Sequence, residues 1–307
     1  MSGPVGVLVM AYGGPDSLAD VEPYLLDVRG FRPTPPPVVA EVRGRYSRIG
    51  GRSPIRAQTE RQARALNSSL NRNGTRYTTA VGMRHWHPHI RAALRELESA
   101  GVERAVGVVM APHYSRLSVE RYVEQVNAAE SRITTVPIRE WATLPGLLDA
   151  LADRVRDGLE RFPAGDRDGV MVLFTAHSLP QRIREWQDPY ESQLQATVNG
   201  VIERIGARDH GLAFQSAGMT SEPWLGPDVE TVIEDLARQG KQNILIAPIG
   251  FTTEHVEILY DLDVELRERA DTLGLRLHRI AMVGDHPAMI AGLAELVGTT
   301  AAREGWT

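Results

Sequence analysis

The chain has 307 residues, 42% hydrophobic and 24% charged, with a net charge of -5 and no cysteine. That length admits two domains of ordinary size, the charge leaves no basic excess for nucleic acid as a partner, and the missing thiols exclude disulfides, thiolate zinc sites and cysteine-ligated iron–sulfur clusters. No apolar run approaches the ~20 residues of a membrane-spanning helix, and no basic segment with a long apolar core opens the chain, so the expectation is a cytoplasmic protein without integral membrane contact.

In chain order, Val5–Met10 reads as a buried strand ending in the loop Ala11–Pro15, which carries Tyr12. RPTPPPVV (32–39) is a stiff connection beside Arg29 and Arg32, side chains of the kind that bind a carboxylate bidentately. Tyr77–Val81 is a second strand, followed by Gly82-Met83-Arg84-His85. RHWHPH (84–89) places histidines at alternate positions before a helix over Ile90–Ala100, with Pro88 expected to open that helix. Those histidines fit either a metal patch or an ordinary surface loop. Ala105–Met110 is a third strand, leading into Ala111-Pro112-His113-Tyr114.

The pattern then recurs. After the polar junction ERFPAGDRDG (160–169), Val170–Thr175 leads into Ala176-His177-Ser178-Leu179-Pro180, Leu212–Gln215 into Ser216–Thr220, and Asn243–Ile246 into Ala247–Phe251. The endings VLVMAYGGP and VLFTAHSLP resemble each other, as do VVMAPHYSRLSVERY and ILIAPIGFTTEHVEILY. This β–α alternation predicts an α/β fold with parallel sheets covered by helices, duplicated into two Rossmann-like halves with a cleft between them. The expected units are residues 1–145, joined by a last helix over 287–303, and residues 146–286. Ligands of open α/β sheets sit beyond the carboxyl ends of the strands, so Tyr12, His177 and Glu257 are expected to face one cleft.

Familiar nucleotide and hydrolase signatures are absent: no G-x-G-x-x-G, no G-x-x-x-x-G-K-[ST], no H-E-x-x-H and no G-x-S-x-G. The chemistry left is ligation and proton transfer. His177, at a strand end, is of a type that is neutral near pH 7 unless perturbed and can accept a proton or hold a metal; it can equally cap the strand. FTTEHVEILYDLDVELRERA (251–270) reads as one helix with Glu257, Asp261 and Glu265 at four-residue steps. The row is either a solvated face, with Asp263–Arg267 and Glu265–Arg269 as i,i+4 pairs, or a path for a hard or borderline cation. Trp224, between two prolines in SEPWLGPD, is either a cleft wall or core.

Taken together, MAYGGP, YSRIGGRSPI, APHYSRLSVERY, AHSLP, QSAGMTSEPWLGPD and GFTTEHVEILYDLD cover nearly the whole chain in order and resemble the signature segments of ferrochelatases, specifically the short water-soluble bacterial type. The resemblance implies a chelatase-like fold of two Rossmann-like domains and insertion of Fe²⁺ into a porphyrin, most readily coproporphyrin III to give coprohaem in haem biosynthesis. It implies no organic cofactor, iron as a substrate, and other haem-pathway enzymes as candidate partners. It makes His177 and Glu257 the catalytic pair, extends metal contacts to Asp261, Glu265 and Tyr12, and gives Asp261 and Glu265 a candidate regulatory divalent cation. Tyr12, Arg29, Ser53, Arg84, Tyr122 and Trp224 are the implied porphyrin contacts. Gly30 stands where relatives often carry a second arginine, which implies weaker propionate binding there or binding through Arg32. Arg84 stands where some relatives carry lysine. Protoporphyrin IX as substrate, a chelatase for another metal, and a non-catalytic bilobal metal- or haem-binding protein are the competing readings, and the face of iron entry stays open between the His177–Glu257 side and the Tyr12 side.

Overall fold

The computed structural model describes residues 3–72, 74, 77–218 and 220–306; Met219, in the QSAGMTSEPWLGPD segment, lies outside them. Its first sheet contains β1 (Val5–Ala11), β2 (Tyr77–Met83), β3 (Arg104–Val109) and β4 (Thr134–Ile138) in the order β2-β1-β3-β4. The second contains β5 (Met171–His177), β6 (His210–Gln215), β7 (Asn243–Pro248) and β8 (Arg276–Arg279) in the order β6-β5-β7-β8. All pairings are parallel. The second order repeats the first, so β1 and β5 are equivalent central strands. In each sheet the chain reverses direction of growth beside that strand, and this is where open α/β sheets leave a crevice.

Eleven α-helices cover the sheets among the described residues: α1 (Val21–Val28), α2 (Pro36–Arg48), α3 (Ile55–Leu70), α4 (Ile90–Ser99), α5 (Val119–Ala128), α6 (Pro145–Leu159), α7 (Tyr190–Ile205), α8 (Val229–Arg238), α9 (Val256–Leu259), α10 (Arg267–Thr272) and α11 (Pro287–Arg303). Every residue of β1 is buried, as a strand with helices on both faces requires. One apolar cluster runs through both halves, from Val7 and Val106 past Leu147 and Leu151 to Phe174 and Leu245. The sequence boundary at 145/146 falls at the start of α6, which packs against both α7 and α11, while α11 also packs on α3. Gly146 makes the α6–α11 approach feasible, since a Cβ there would stand 2.1 Å from the Ala288 carbonyl oxygen.

Two local expectations need correction. Helix α4 starts at Ile90 with His89 as its N-cap residue. Pro88 lies outside the helix, its carbonyl accepting the Met83 N–H at 2.7 Å. The single helix read over 251–270 is instead α9, a π-helical turn over Asp261–Leu266, and α10. In that turn the Tyr260 carbonyl accepts both the Val264 and the Glu265 N–H at 3.0 Å, the second being the i→i+5 bond that defines the π form. The widened turn undoes the expected i,i+4 pairs. Asp263 pairs with Arg279 of β8 at 2.7 Å, Arg269 pairs with Glu234 of α8, and Arg267 donates to the Leu277 carbonyl.

Candidate active site

A cavity of about 270 Å³ opens between the carboxyl ends of the two sheets. Loops after β1, β2, β3, β5 and β7 supply its walls; the described residues of the loop after β6 do not line it. Tyr12, Ser53, Arg84, Tyr122, His177 and Glu257 line it together. Arg29, Asp261, Glu265 and Trp224 do not. Arg29 is exposed at the C-terminal end of α1. Trp224 is half-buried, lies against Gly218 and donates its indole N–H to Thr220 Oγ1 at 2.9 Å. Asp261 and Glu265 follow Glu257 away from the cavity along the π turn.

On one wall, His177 Nε2 stands 3.4 Å from Glu257 Oε1, and the other carboxylate oxygen lies 3.3 Å from His255 Nε2. His177 is the last residue of β5. Its Nδ1–H donates to the Ser178 carbonyl, and its own carbonyl accepts the Tyr190 hydroxyl at 2.9 Å. Burial by itself would lower the His177 imidazole, but the Glu257 charge, their hydrogen bond and the Ser178 carbonyl overturn that and push it up to about 9. Burial opposes the Glu257 charge in turn, yet His177 and His255 hold its carboxyl well below the usual carboxylate range. The resting pair at pH 7 is therefore imidazolium and carboxylate, the perturbed case of a side chain otherwise neutral near that pH.

The opposite wall is neutral or cationic. Tyr12 faces the cavity with 38% of its surface exposed, yet the surrounding protein pushes its phenol up to about 12, with Arg84 opposing. Its ring packs on His85 at 4.7 Å, and His85 Nδ1 donates to Asp27 Oδ1 at 2.8 Å. The Arg84 guanidinium lies 5.7 Å from the Tyr12 ring centroid and 5.5 Å from that of Tyr122. It makes no ion pair among the described residues. Gly13 turns the chain after Tyr12 at φ 94°, a left-handed conformation suited to glycine. Gly14 lets Ser53 in, because a Cβ there would stand 2.6 Å from Ser53 Oγ.

The acidic row does have something positive against it. Arg45 of α2 reaches Asp261 at 3.5 Å and lies over the Tyr260 ring at 5.1 Å, and Arg48 pairs with Glu268 at 2.6 Å. Burial pushes Asp261 up to about 6, with Glu257 and Glu265 adding to the rise and the Ser216 hydroxyl and Arg45 opposing it. Among the described residues, no group of three or more His, Asp or Glu side chains is arranged to hold a metal ion. That applies to the acidic row and to the histidines of RHWHPH alike. Sequence reasoning passed over Tyr24, Tyr46, His113 and Tyr190, which also line the cavity. All but His113 are single tyrosines on helices with no local signal to separate them from core.

The sequence model of one family, described as Ferrochelatase, matches residues 4–301. The chain belongs to the ferrochelatase family. It is 41% identical over 305 residues to a ferrochelatase of Deinococcus radiodurans, covering 97% of this chain and 96% of the relative. It is 36% identical over 304 residues to a coproporphyrin III ferrochelatase of Listeria monocytogenes, covering 97% and 98%. Among solved structures, SirB from Bacillus subtilis with Fe3+ superposes with a TM-score of 0.60 at 14% identity, covering 98% of this chain and 97% of that one. That likeness speaks for the two-domain chelatase fold alone. The chain is an enzyme that inserts iron into a porphyrin. No helix among its described residues is long and apolar enough to cross a membrane.

Proposed function

We propose that this ferrochelatase acts on coproporphyrin III in the cytoplasm and releases its iron complex, coprohaem. The supporting observation is Arg84, a cation that lines the cavity without a carboxylate partner among the described residues, its guanidinium 5.5 Å from the Tyr122 ring centroid. Coproporphyrin III carries more propionates than protoporphyrin IX and gains more from such a group, since Arg–carboxylate hydrogen bonds are charge-assisted. Ser53, on the same cavity wall as Tyr12, is a second propionate donor.

In the chemistry, His177 takes up a pyrrole proton and Glu257 orients it. The charged resting pair sets the order of events. A ferrous ion approaching Glu257 competes with the imidazolium for that carboxylate and lowers the proton affinity of His177, whose proton passes to solvent; the neutral imidazole then accepts one pyrrole proton, and the second pyrrole proton leaves to solvent after His177 has passed on the first. Asp261 and Glu265 draw the ion inward without forming a cage. Weak ligation suits an ion in transit, because binding too strong would hold it short of the macrocycle.

The test is anaerobic mixing of the protein and Fe²⁺ with coproporphyrin III and with protoporphyrin IX in parallel, followed by absorbance. One additional charge-assisted hydrogen bond is worth about 1.5–3 kcal/mol, so kcat/KM for coproporphyrin III is expected to be at least about tenfold higher. Equal or better use of protoporphyrin IX would overturn the substrate assignment.

A further inference from the structure

We infer that Gln215 is a positioning residue that holds Glu257 in register with His177. The inference rests on the reading of Glu257 as the partner of His177. Gln215 is the last residue of β6, is 1% exposed and does not line the cavity. In the parallel ladder it lies directly beside His177. Its main-chain carbonyl accepts the Ser178 N–H at 2.8 Å, and its side-chain Nε2 donates to the Glu257 carbonyl at 2.9 Å. The His177 Nε2–Glu257 Oε1 contact at 3.4 Å closes the circuit. Three contacts thus form a ring in which Gln215 joins the strand carrying the imidazole to the helix carrying the carboxylate.

The local structure explains why such a joint is required. Helix α9 has only 4 residues and runs into the π turn, so it has little rigidity of its own. The position of Glu257 must come from tertiary anchors; His177 and His255 meet its carboxylate, and Gln215 holds its main chain. The amide orientation follows from chemistry, since the Glu257 carbonyl can only accept and therefore faces the NH₂ end. The other end, Gln215 Oε1, is buried without a hydrogen-bond partner among the described residues. A buried acceptor left unpaired is costly, and packing alone would be served better by an apolar side chain of the same length. The neighbouring Ser216, in the left-handed region at φ 59°, donates its hydroxyl to Asp261. Consecutive residues of one strand end therefore grip two of the acids.

The experiment is a double-mutant cycle of Gln215→Met and Glu257→Gln, read by single-turnover iron insertion and by porphyrin binding from fluorescence quenching. Methionine keeps the length and removes the donor. Gln215→Met is expected to slow insertion about tenfold or more while the porphyrin Kd stays within about twofold, and to add little once Glu257 is already Gln. A Gln215→Met enzyme that inserts iron at the wild-type rate, or that slows equally in both backgrounds, would overturn the inference while leaving Glu257 its role. If Glu257→Gln itself inserts iron normally, the underlying reading fails and the inference with it. Gln215→Asn, one methylene short, keeps the test open if the methionine variant does not fold. An intermediate loss supports the joint, and wild-type insertion by Gln215→Asn counts against it.

Discussion

Replacing Glu257 by Gln should turn His177 from a cation into an ordinary or weaker base. The amide keeps the shape and loses the charge. In the native protein His177 rises from 6.5 to about 9, although burial, the largest single influence, pulls it down. At 1.36 kcal/mol per pH unit the net rise is worth about 3 kcal/mol in favour of the imidazolium, and the attraction behind it exceeds that because it also offsets burial. The side chains are 28% and 32% exposed, so solvent screens the pair only in part. Without the carboxylate, burial dominates and His177 should titrate at or below 6.5. Ring-labelled histidine NMR across pH reads this directly, with the His177 resonance among the 9 histidines assigned by its loss in His177→Ala. A resonance still titrating near 9 in Glu257→Gln would refute the electrostatic account.

The same pair fixes how stability depends on pH. The folded value for His177 lies above its unfolded one, so its contribution is complete below about pH 6.5 and disappears as pH rises through about 9. Glu257 is held below its ordinary 4.5, so the contribution is also lost as pH falls well below that value. The stability difference between wild type and Glu257→Gln should therefore peak between about pH 4.5 and 6.5 and shrink by about 3 kcal/mol by pH 10, measured by urea midpoints at each pH.

Three further outcomes are expected. His177→Ala should abolish iron insertion while porphyrin still quenches protein fluorescence on binding; near wild-type turnover in that variant would remove His177 from the reaction. Glu265→Gln should raise KM for iron more than KM for porphyrin, and equal changes in both would count against a cation route along the π turn. Arg84→Met should raise KM for coproporphyrin III about tenfold, the worth of one lost charge-assisted hydrogen bond, with kcat little changed; an unaltered KM would show that the guanidinium does not meet a propionate.

The central strands were legible because β1, β3, β5 and β7 are short apolar runs closed by Gly, Pro or His loops. The edge strands divide: β2 and β6 are apolar enough to be read, whereas β4 and β8 escaped because their residues do not look like a buried strand. An edge strand needs no continuous apolar run and tolerates Pro137 in β4, while β8, RLHR, is mostly polar. The π turn was misread as plain helix, yet the sequence contained its signal. The buried residues Ile258, Leu262, Leu266 and Ala270 recur strictly every four positions, as do the acids Glu257, Asp261 and Glu265. In an α-helix each such step drifts by about 40°, so neither row stays on one face unless a wider turn absorbs the drift. Of the site, the residues on strand-end loops could be found from the chain. Arg29 and Trp224 could not be placed, since motif membership says nothing of which way a loop residue points.

The charge distribution also bears on which face of the macrocycle meets iron. A carboxylate that orients an imidazole also stabilises its protonated form, so His177 beside Glu257 at pH 7 is no ready base. It becomes one when another cation takes over the carboxylate, and the arriving substrate ion is such a cation. On the Tyr12 side the local order is reversed. The phenol keeps its proton up to about pH 12 and Arg84 lies 5.7 Å from the ring, so a dication arriving there meets a like charge, and the Asp27 carboxylate on that side is already hydrogen-bonded to His85. Entry past Glu257 delivers the metal and frees the base in one event, whereas entry past Tyr12 would leave His177 protonated when the pyrrole protons have to leave. The coupling of metal arrival to proton acceptance therefore favours the acidic face, on the same grounds that make the resting pair inert.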